Sequence, residues 1–259
     1  MRMEAQARAA LITGASRGLG RAIALALASD GFAVALAARD ERSLHLVAAE
    51  AKSAGAPDTL VLAGDLRAPE EPVKAVEQAV AQFGGLDALV NNAGATARGD
   101  FLALTDEQHL DGFALKYHAM VRFCRAAWEP LVTRKGAIVN ISGIGAHTPE
   151  PGFTIGGPVN SAVINFSKAI SKRLDGPRVN VVSPGHIETD RLSRRIDTYA
   201  EGHGLTRDAA KEAMRGELGI AAYGQPDDIA NMVRYLCSRD AAYVNGACFV
   251  VDGGATPGI

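Results

Sequence analysis

Seven short apolar runs recur along the chain: AALIT at 9–13, AVALAA at 33–38, TLVLA at 59–63, ALVN at 88–91, GAIVNI at 136–141, RVNVV at 178–182 and CFVV at 248–251. Each is apolar at nearly consecutive positions rather than at alternate ones. That suits a strand buried on both faces, because successive side chains point to opposite sides of a sheet. Between the runs lie longer segments, 20–29, 43–54, 69–83, 106–132, 159–174 and 226–237, that read as helices. Strand–helix alternation of this kind predicts a single α/β domain with a doubly wound parallel sheet of about seven strands and helices on both faces. Ligands in such folds sit beyond the carboxyl ends of the strands.

Residues 189–223 break the rhythm. They are charged, helix-compatible (AAKEAM at 209–214) and inserted before the last helix and strand. Two readings stay open, a lid over a substrate and a solvated helical excursion.

Composition narrows the classes. With 259 residues and 47% hydrophobic content the chain can bury a large core, which excludes a disordered protein. A formal charge of -2 gives no global basic field for nucleic acid. Cys124, Cys237 and Cys248 are widely spaced and read as thiols in a reducing compartment, and no cluster has metal-ligand spacing. The charged N-terminus lacks an apolar signal core, and the longest apolar runs are too short to span a bilayer, so the expectation is a cytoplasmic protein without membrane contact.

The first strand runs into Thr13-Gly14-Ala15-Ser16-Arg17-Gly18-Leu19-Gly20, which opens a helix. Gly14 permits a sharp turn, Gly18 a close approach of backbone to pyrophosphate, and Gly20 tight helix–sheet packing. The free N–H groups of the helix start favour an anion. A dinucleotide is therefore the expected ligand.

The spacing Thr-Gly-x-x-x-Gly-x-Gly resembles that of the short-chain dehydrogenase/reductase family, and further matches follow in order. They are Asp65-Leu66 after the third run, Asn91-Asn92-Ala93-Gly94 ending the fourth, Val179 to Pro184-Gly185, then Ile187-Glu188-Thr189, Gly224-Gln225-Pro226 and Val251-Asp252-Gly253-Gly254. The resemblance covers essentially the whole chain. It implies a Rossmann fold, a nicotinamide cofactor, a small-molecule carbonyl or alcohol substrate, and pairing into homodimers or homotetramers. It assigns Asp65 and Leu66 to adenine, Asn91, Ala93 and Gly94 to the cofactor cleft, Pro184, Gly185 and Ile187 to the approach to nicotinamide, and Thr189 to its carboxamide. Met120, Phe123, Ala127 and Trp128 suit either a pairing face or a core stripe.

Cofactor choice turns on the end of the second run. Ala38 stands where an NAD-selective member has Asp, and Arg39 and Arg17 each present a planar fork to a 2′-phosphate. NADP(H) is expected, with NAD(H) possible.

The catalytic positions depart from the family's Asn, Ser, Tyr and Lys. By register the Asn position is Lys116, the Ser position Gly143 with Ser142 one residue early, the Tyr position Gly156 and the Lys position Asn160. Lysine and asparagine have thus exchanged places. If both enter one cleft, Lys116 acts as acid or base, or anchors an anionic substrate, and Asn160 holds cofactor ribose. The bland alternative for Lys116 is a side chain reaching solvent. Lys116, Ser142 and Asn160 form the candidate catalytic set. Tyr117 leaves the helix about 100° from Lys116 and is a poor substitute for the missing phenol. Gly156-Gly157-Pro158 reads either as an open floor at the phenol's place or as a simple helix start. The resulting expectation is an oxidoreductase with a non-standard site, with a non-catalytic cofactor-binding homologue as the alternative.

Overall fold

The structure is a computed structural model and describes residues 7–258. The N-terminal charged segment read against a signal sequence lies mostly outside them. Seven strands, β1 (Ala9–Thr13), β2 (Ala33–Ala38), β3 (Thr59–Ala63), β4 (Ala88–Asn91), β5 (Ala137–Ile141), β6 (Arg178–Pro184) and β7 (Cys248–Val251), form one sheet in the order β3-β2-β1-β4-β5-β6-β7. Every neighbouring pair is parallel. The chain reverses its winding between β1 and β4, which opens a crevice at their carboxyl ends.

The helices are α1 (Gly18–Ser29), α2 (Glu41–Ala54), α3 (Glu71–Phe83), α4 (Asp106–Phe113), α5 (Ala119–Ala126), α6 (Trp128–Arg134), α7 (Gly156–Ile170), α8 (Asp190–His203), α9 (Arg207–Glu217) and α10 (Pro226–Cys237). Both faces of the sheet are covered. Ala10 and Ile12 of β1 pack into one core with Ile23, Leu27, Leu44 and Val233, while Ala9 and Leu11 enter the opposite core with Val76, Phe83, Phe123 and Val163. Burial on both sides is why the strands read as continuous apolar runs.

Helix boundaries moved for local reasons. The segment at 43–54 starts at Glu41 because the Asp40 carboxylate accepts from the Ser43 N–H at 3.1 Å. The segment at 106–132 is not one α-helix. A π-helical turn, Ala114–His118, separates α4 from α5, and α6 starts anew at Trp128. Such turns add a residue to the helical ladder and turn a side chain off the regular face; Lys116 sits in this one. Met120, Phe123 and Ala127 are buried within the chain itself, so they belong to the core and not to a pairing face. The helix expected at 159–174 begins earlier, at Gly156, and ends at Ile170. Pro158 is tolerated because the first-turn N–H groups have no intrahelical partner.

Within 189–223, α8 and α9 pack on each other through Leu192, Ile196, Ala210, Met214 and Tyr223. This small core is separate from the two that flank the sheet. It stands at the strand ends, beside the crevice. Among the described residues no helix is long and apolar enough to cross a membrane.

Candidate active site

The glycine loop has the backbone its sequence demands. Gly14 and Gly18 hold φ of +67° and +54°, a region L-residues avoid. A Cβ on Gly20 would lie 2.1 Å from the Gly14 carbonyl oxygen, so only glycine lets α1 start this close to the turn. No side chain caps α1, and its first N–H groups are left for a ligand. The loop is tied to the end of β4. Thr13 Oγ1 accepts from the Asn92 and Ala93 N–H groups at 3.0 Å each, and Asn92 Nδ2 donates to the carbonyls of Thr13 (3.1 Å) and Gly14 (3.2 Å). Asn92 is thus a positioning residue for the glycine loop, a role that nothing within its motif signals. Asn91 turns the other way, into a buried ladder in which it donates to Asn140 and Asn140 donates to Ser167, both at 2.8 Å.

On the β2 side of the crevice, Ala38 is buried at the close of β2 and Arg39 is exposed beside it. Asp65 is exposed and pairs with Arg67, while Leu66 is buried in the core. Arg17 lies 3.6 Å from Asp190 at the start of α8, which brings the glycine loop under residues 189–223. Ala38→Asp is expected to weaken NADPH binding about tenfold and to strengthen NADH binding, since a carboxylate repels a 2′-phosphate but accepts from a 2′-hydroxyl. Paired fluorescence titrations with the two cofactors would show it.

At the other end of the crevice, Gly185 N–H donates to the Val251 carbonyl at 3.0 Å, and a Cβ there would lie 2.6 Å from that of Asp252. Ile187 is buried and bridges Gly224. The Thr189 methyl stands 3.6 Å from where Gly18 would carry a Cβ, and its hydroxyl donates to the Ile187 carbonyl at 3.3 Å. Gly18 and Thr189 thus face each other across the cleft. Ser16 and Leu19 sit half-buried on the same loop.

Between these ends Lys116 and Asn160 meet. Lys116 Nζ donates to Asn160 Oδ1 at 2.5 Å and to the Ser142 carbonyl at 2.9 Å. Packing around the amine, and then the nearby Arg191, pull the lysine down to about 7 from its usual 10.5. Gly94 makes room for it, because a Cβ there would fall 2.9 Å from Lys116 Cδ. Arg191 closes the same corner by donating to the Gly94 carbonyl at 2.8 Å. Ser142 is buried and its hydroxyl donates to the Asn160 carbonyl at 2.9 Å, which fixes the start of α7. Gly143, in the family's serine register, lies beside the Asn160 amide, 3.0 Å from its position for a Cβ.

The reading of an open floor at Gly156 does not hold. A Cβ on Gly156 would lie 2.0 Å from Cζ of Phe153, so the Phe153 ring fills that space from the short helical turn Pro151–Phe153. Arg98 stacks on this ring at 4.0 Å. Gly156→Ala is therefore expected to cost about 1–3 kcal/mol by overpacking, and Phe153→Ala in the same chain is expected to recover part of it. Urea unfolding of the two single variants and the double variant measures the coupling. Among the described residues no tyrosine hydroxyl bonds to Lys116. Tyr117 packs edge-on against Phe113 and Phe166 (6.2 and 6.0 Å between centroids), and Tyr199 and Tyr223 give their hydroxyls to Glu217 and the Lys211 carbonyl. His147 is exposed, near Cys248. Among the described residues no His/Cys/Asp/Glu group is arranged to hold a metal.

Residues 14–256 match a family model described as enoyl-(acyl carrier protein) reductase. The chain is 34% identical over 252 residues to the 3-oxoacyl-[acyl-carrier-protein] reductase FabG of Staphylococcus aureus, covering 95% of this chain and 97% of that one. Its fold is similar to L-sorbose reductase from Gluconobacter frateurii complexed with NADPH and L-sorbose (TM-score 0.92, 31% identity, all of both chains). It is equally similar to a variant of the actinorhodin polyketide ketoreductase with NADPH (TM-score 0.92, 29% identity, 99% of this chain and 100% of that one).

Proposed function

This chain belongs to the short-chain dehydrogenase/reductase family, and on that footing we propose that it reduces a carbonyl compound with NADPH, using Lys116 as the proton donor. The observation that supports this reading is the Lys116–Asn160 contact of 2.5 Å in the crevice at the strand ends. NADPH, the cofactor carried by the solved relatives, supplies the hydride. The residues fit it. The uncapped start of α1 with Gly14, Ser16, Gly18, Leu19 and Gly20 receives the pyrophosphate, Arg17 and Arg39 the 2′-phosphate, and Asp65 and Leu66 the adenine. The β4 end, through the backbone of Asn91 and through Ala93 and Gly94, with Pro184, Gly185, Ile187, Thr189 and Asn160, would hold the nicotinamide half.

Lys116 then needs only to manage one proton. An ammonium has three N–H donors. Two point to the Asn160 Oδ1 and the Ser142 carbonyl, and the third is free for the substrate oxygen. As the substrate carbonyl is reduced, that proton would pass from Lys116 Nζ to the carbonyl oxygen and complete the alcohol. The neutral amine that remains keeps two N–H groups for the same two acceptors, so both protonation states fit one geometry. A donor whose pKa lies near 7 divides itself between the two forms at neutral pH, which suits general acid–base work. Ser142, with its hydroxyl on the Asn160 carbonyl, acts by positioning Asn160.

The same reading places residues 189–223 over the substrate as a lid. Its support is the Arg17–Asp190 and Arg191–Gly94 contacts that join α8 to the cofactor loops. It also places the protein in the cytoplasm, in keeping with three free thiols, and in a homodimer or homotetramer, supported by exposed Phe101, Leu102 and Leu110 around the start of α4.

The test is oxidation of NADPH, followed by absorbance, over ketones, 3-oxoacyl thioesters and ketoses. Turnover of at least one class is expected. Tight NADPH binding with no turnover of any carbonyl would overturn the reading and favour a cofactor-binding homologue.

A further inference from the structure

Beyond the lysine, the crevice holds a second polar group that the proton transfer leaves unused. Four segments at the strand ends bring it together: Arg98 after β4, Glu150 after β5, His186 after β6 and Arg195 from α8. Glu150 Oε2 accepts from Arg98 Nη1 at 3.0 Å and from Arg195 Nη2 at 3.4 Å. Two guanidinium groups thus share one carboxylate oxygen. Arg195 Nη1 lies 2.7 Å from His186 Nε2. A guanidinium has no lone pair to offer, so Nε2 is the acceptor and the ring proton is on Nδ1. Burial, and then Arg195, hold this histidine down to about 4, so the ring is neutral. Its Nδ1 is buried and has no hydrogen-bond partner. The tautomer therefore leaves a buried N–H donor unpaired beside two arginines, an arrangement that favours an incoming acceptor.

Charge points the same way. Arg191 is depressed by burial and then by Arg98 and Arg194, so the basic groups continue toward Lys116 through the Arg191–Gly94 contact. A chain with a net charge of -2 has gathered cations at one mouth of its cleft. Arg98 is also held flat on Phe153, the ring that fills the place next to Gly156. The cluster is anchored on the same loop that floors the site.

We propose that the substrate carries an anionic oxygen group, a carboxylate or a phosphate, which docks on Arg98, Arg195 and the Nδ1–H of His186 while its carbonyl lies at Lys116. The inference rests on the crevice being the substrate site, and its test needs no turnover. Enzyme saturated with NADP⁺ cannot reduce a ketone, and its pyrophosphate site is filled. Calorimetric titration of this complex would use two matched pairs: acetoacetate with methyl acetoacetate, and dihydroxyacetone phosphate with dihydroxyacetone. The anionic member of at least one pair is expected to bind tenfold or more tightly than its neutral partner, and the pair that shows it identifies carboxylate or phosphate. Arg195→Gln and Arg98→Gln should each remove most of that preference and leave the neutral member unchanged. Glu150→Gln should sharpen it several-fold, an opposite sign that loss of folding cannot imitate. Lys116→Met should keep the preference, which separates this proposal from the proton-donor reading. Equal binding of anionic and neutral members, no binding of either anion, or equal loss of both members in Arg195→Gln would overturn it. So would loss of the preference in Lys116→Met, which would move the anion onto the lysine.

Discussion

Lys116→Met is expected to lower kcat for carbonyl reduction by about a hundred- to ten-thousandfold, the usual cost of losing a positioned general acid. Methionine keeps the length and apolar stem of the side chain and removes only the amine. NADPH affinity should change little, because Asn160 and not Lys116 faces the ribose in this reading. The acid dependence follows from the depressed pKa of about 7. Reduction needs the protonated amine, present below pH 7 and lost as pH rises through 7. The rate of reduction should therefore fall about tenfold per pH unit well above 7, and alcohol oxidation, which needs the neutral amine, should rise toward a plateau over the same range. Lys116→Met should flatten both profiles. Steady-state kinetics between pH 5.5 and about 9, within reach of a lysine so shifted, would decide. An unchanged kcat in Lys116→Met, or a pH profile that survives the substitution, would sink the role given to this lysine.

A stability effect accompanies the same group, with a sign opposite to that of a salt-bridged lysine. In the unfolded chain Lys116 keeps its proton up to about 10.5, whereas the folded chain releases it near 7. Between those values the unfolded state binds more protons, so the fold gains stability as pH rises and loses that gain as pH falls toward 7. Asn160→Ala removes one of the two acceptors that steady the amine. It is expected to depress the lysine further and move the kinetic pKa down, a shift that a purely structural asparagine would not produce.

The fold was legible because burial on both faces of the sheet writes itself as unbroken apolar runs, and each of the seven strands falls on one. The meeting of Lys116 and Asn160 was legible in part: register allowed 116 and 160 to enter one cleft without requiring it, and the structure joins their side chains. What could not be read depends on chain paths between elements. Phe153 lies close to Gly156 in sequence, but only the turn Pro151–Phe153 folds its ring over the glycine. The π turn around Lys116 leaves no mark on a helical pattern that tolerates one extra residue. Arg98, Glu150, His186 and Arg195 come from four separate segments, and no local spacing hints that they converge. Ser142 carried the residue type of a substrate-binding serine, while its position one residue early turned the hydroxyl to the Asn160 carbonyl.

Gly20→Ala is expected to weaken NADPH binding about a hundredfold, which corresponds to roughly 3 kcal/mol, and to lower the thermal midpoint. The added methyl would meet the Gly14 carbonyl oxygen at 2.1 Å and Asn92 Nδ2 at 2.7 Å. Neither neighbour is the free end of a flexible chain. The Gly14 oxygen is backbone, and the Asn92 amide is held by the Thr13 and Gly14 carbonyls. The methyl therefore wedges apart the joint that fixes the glycine loop against β4, with an overpacking cost of about 1–3 kcal/mol and the loss of hydrogen bonds worth about 1 kcal/mol each. Affinity suffers because the displaced loop no longer aims its N–H groups at one point. Helical propensity works in the opposite direction, since alanine is favoured over glycine by about 1 kcal/mol inside a helix, so the comparison needs a helical glycine without neighbours. Gly216 in α9 has open space where its Cβ would go, and Gly216→Ala should leave NADPH affinity unchanged and stabilise slightly. If Gly20→Ala bound NADPH as well as Gly216→Ala does, the loop around Gly14 would not be the cofactor's cradle, and the assignment of the whole crevice would fall with it.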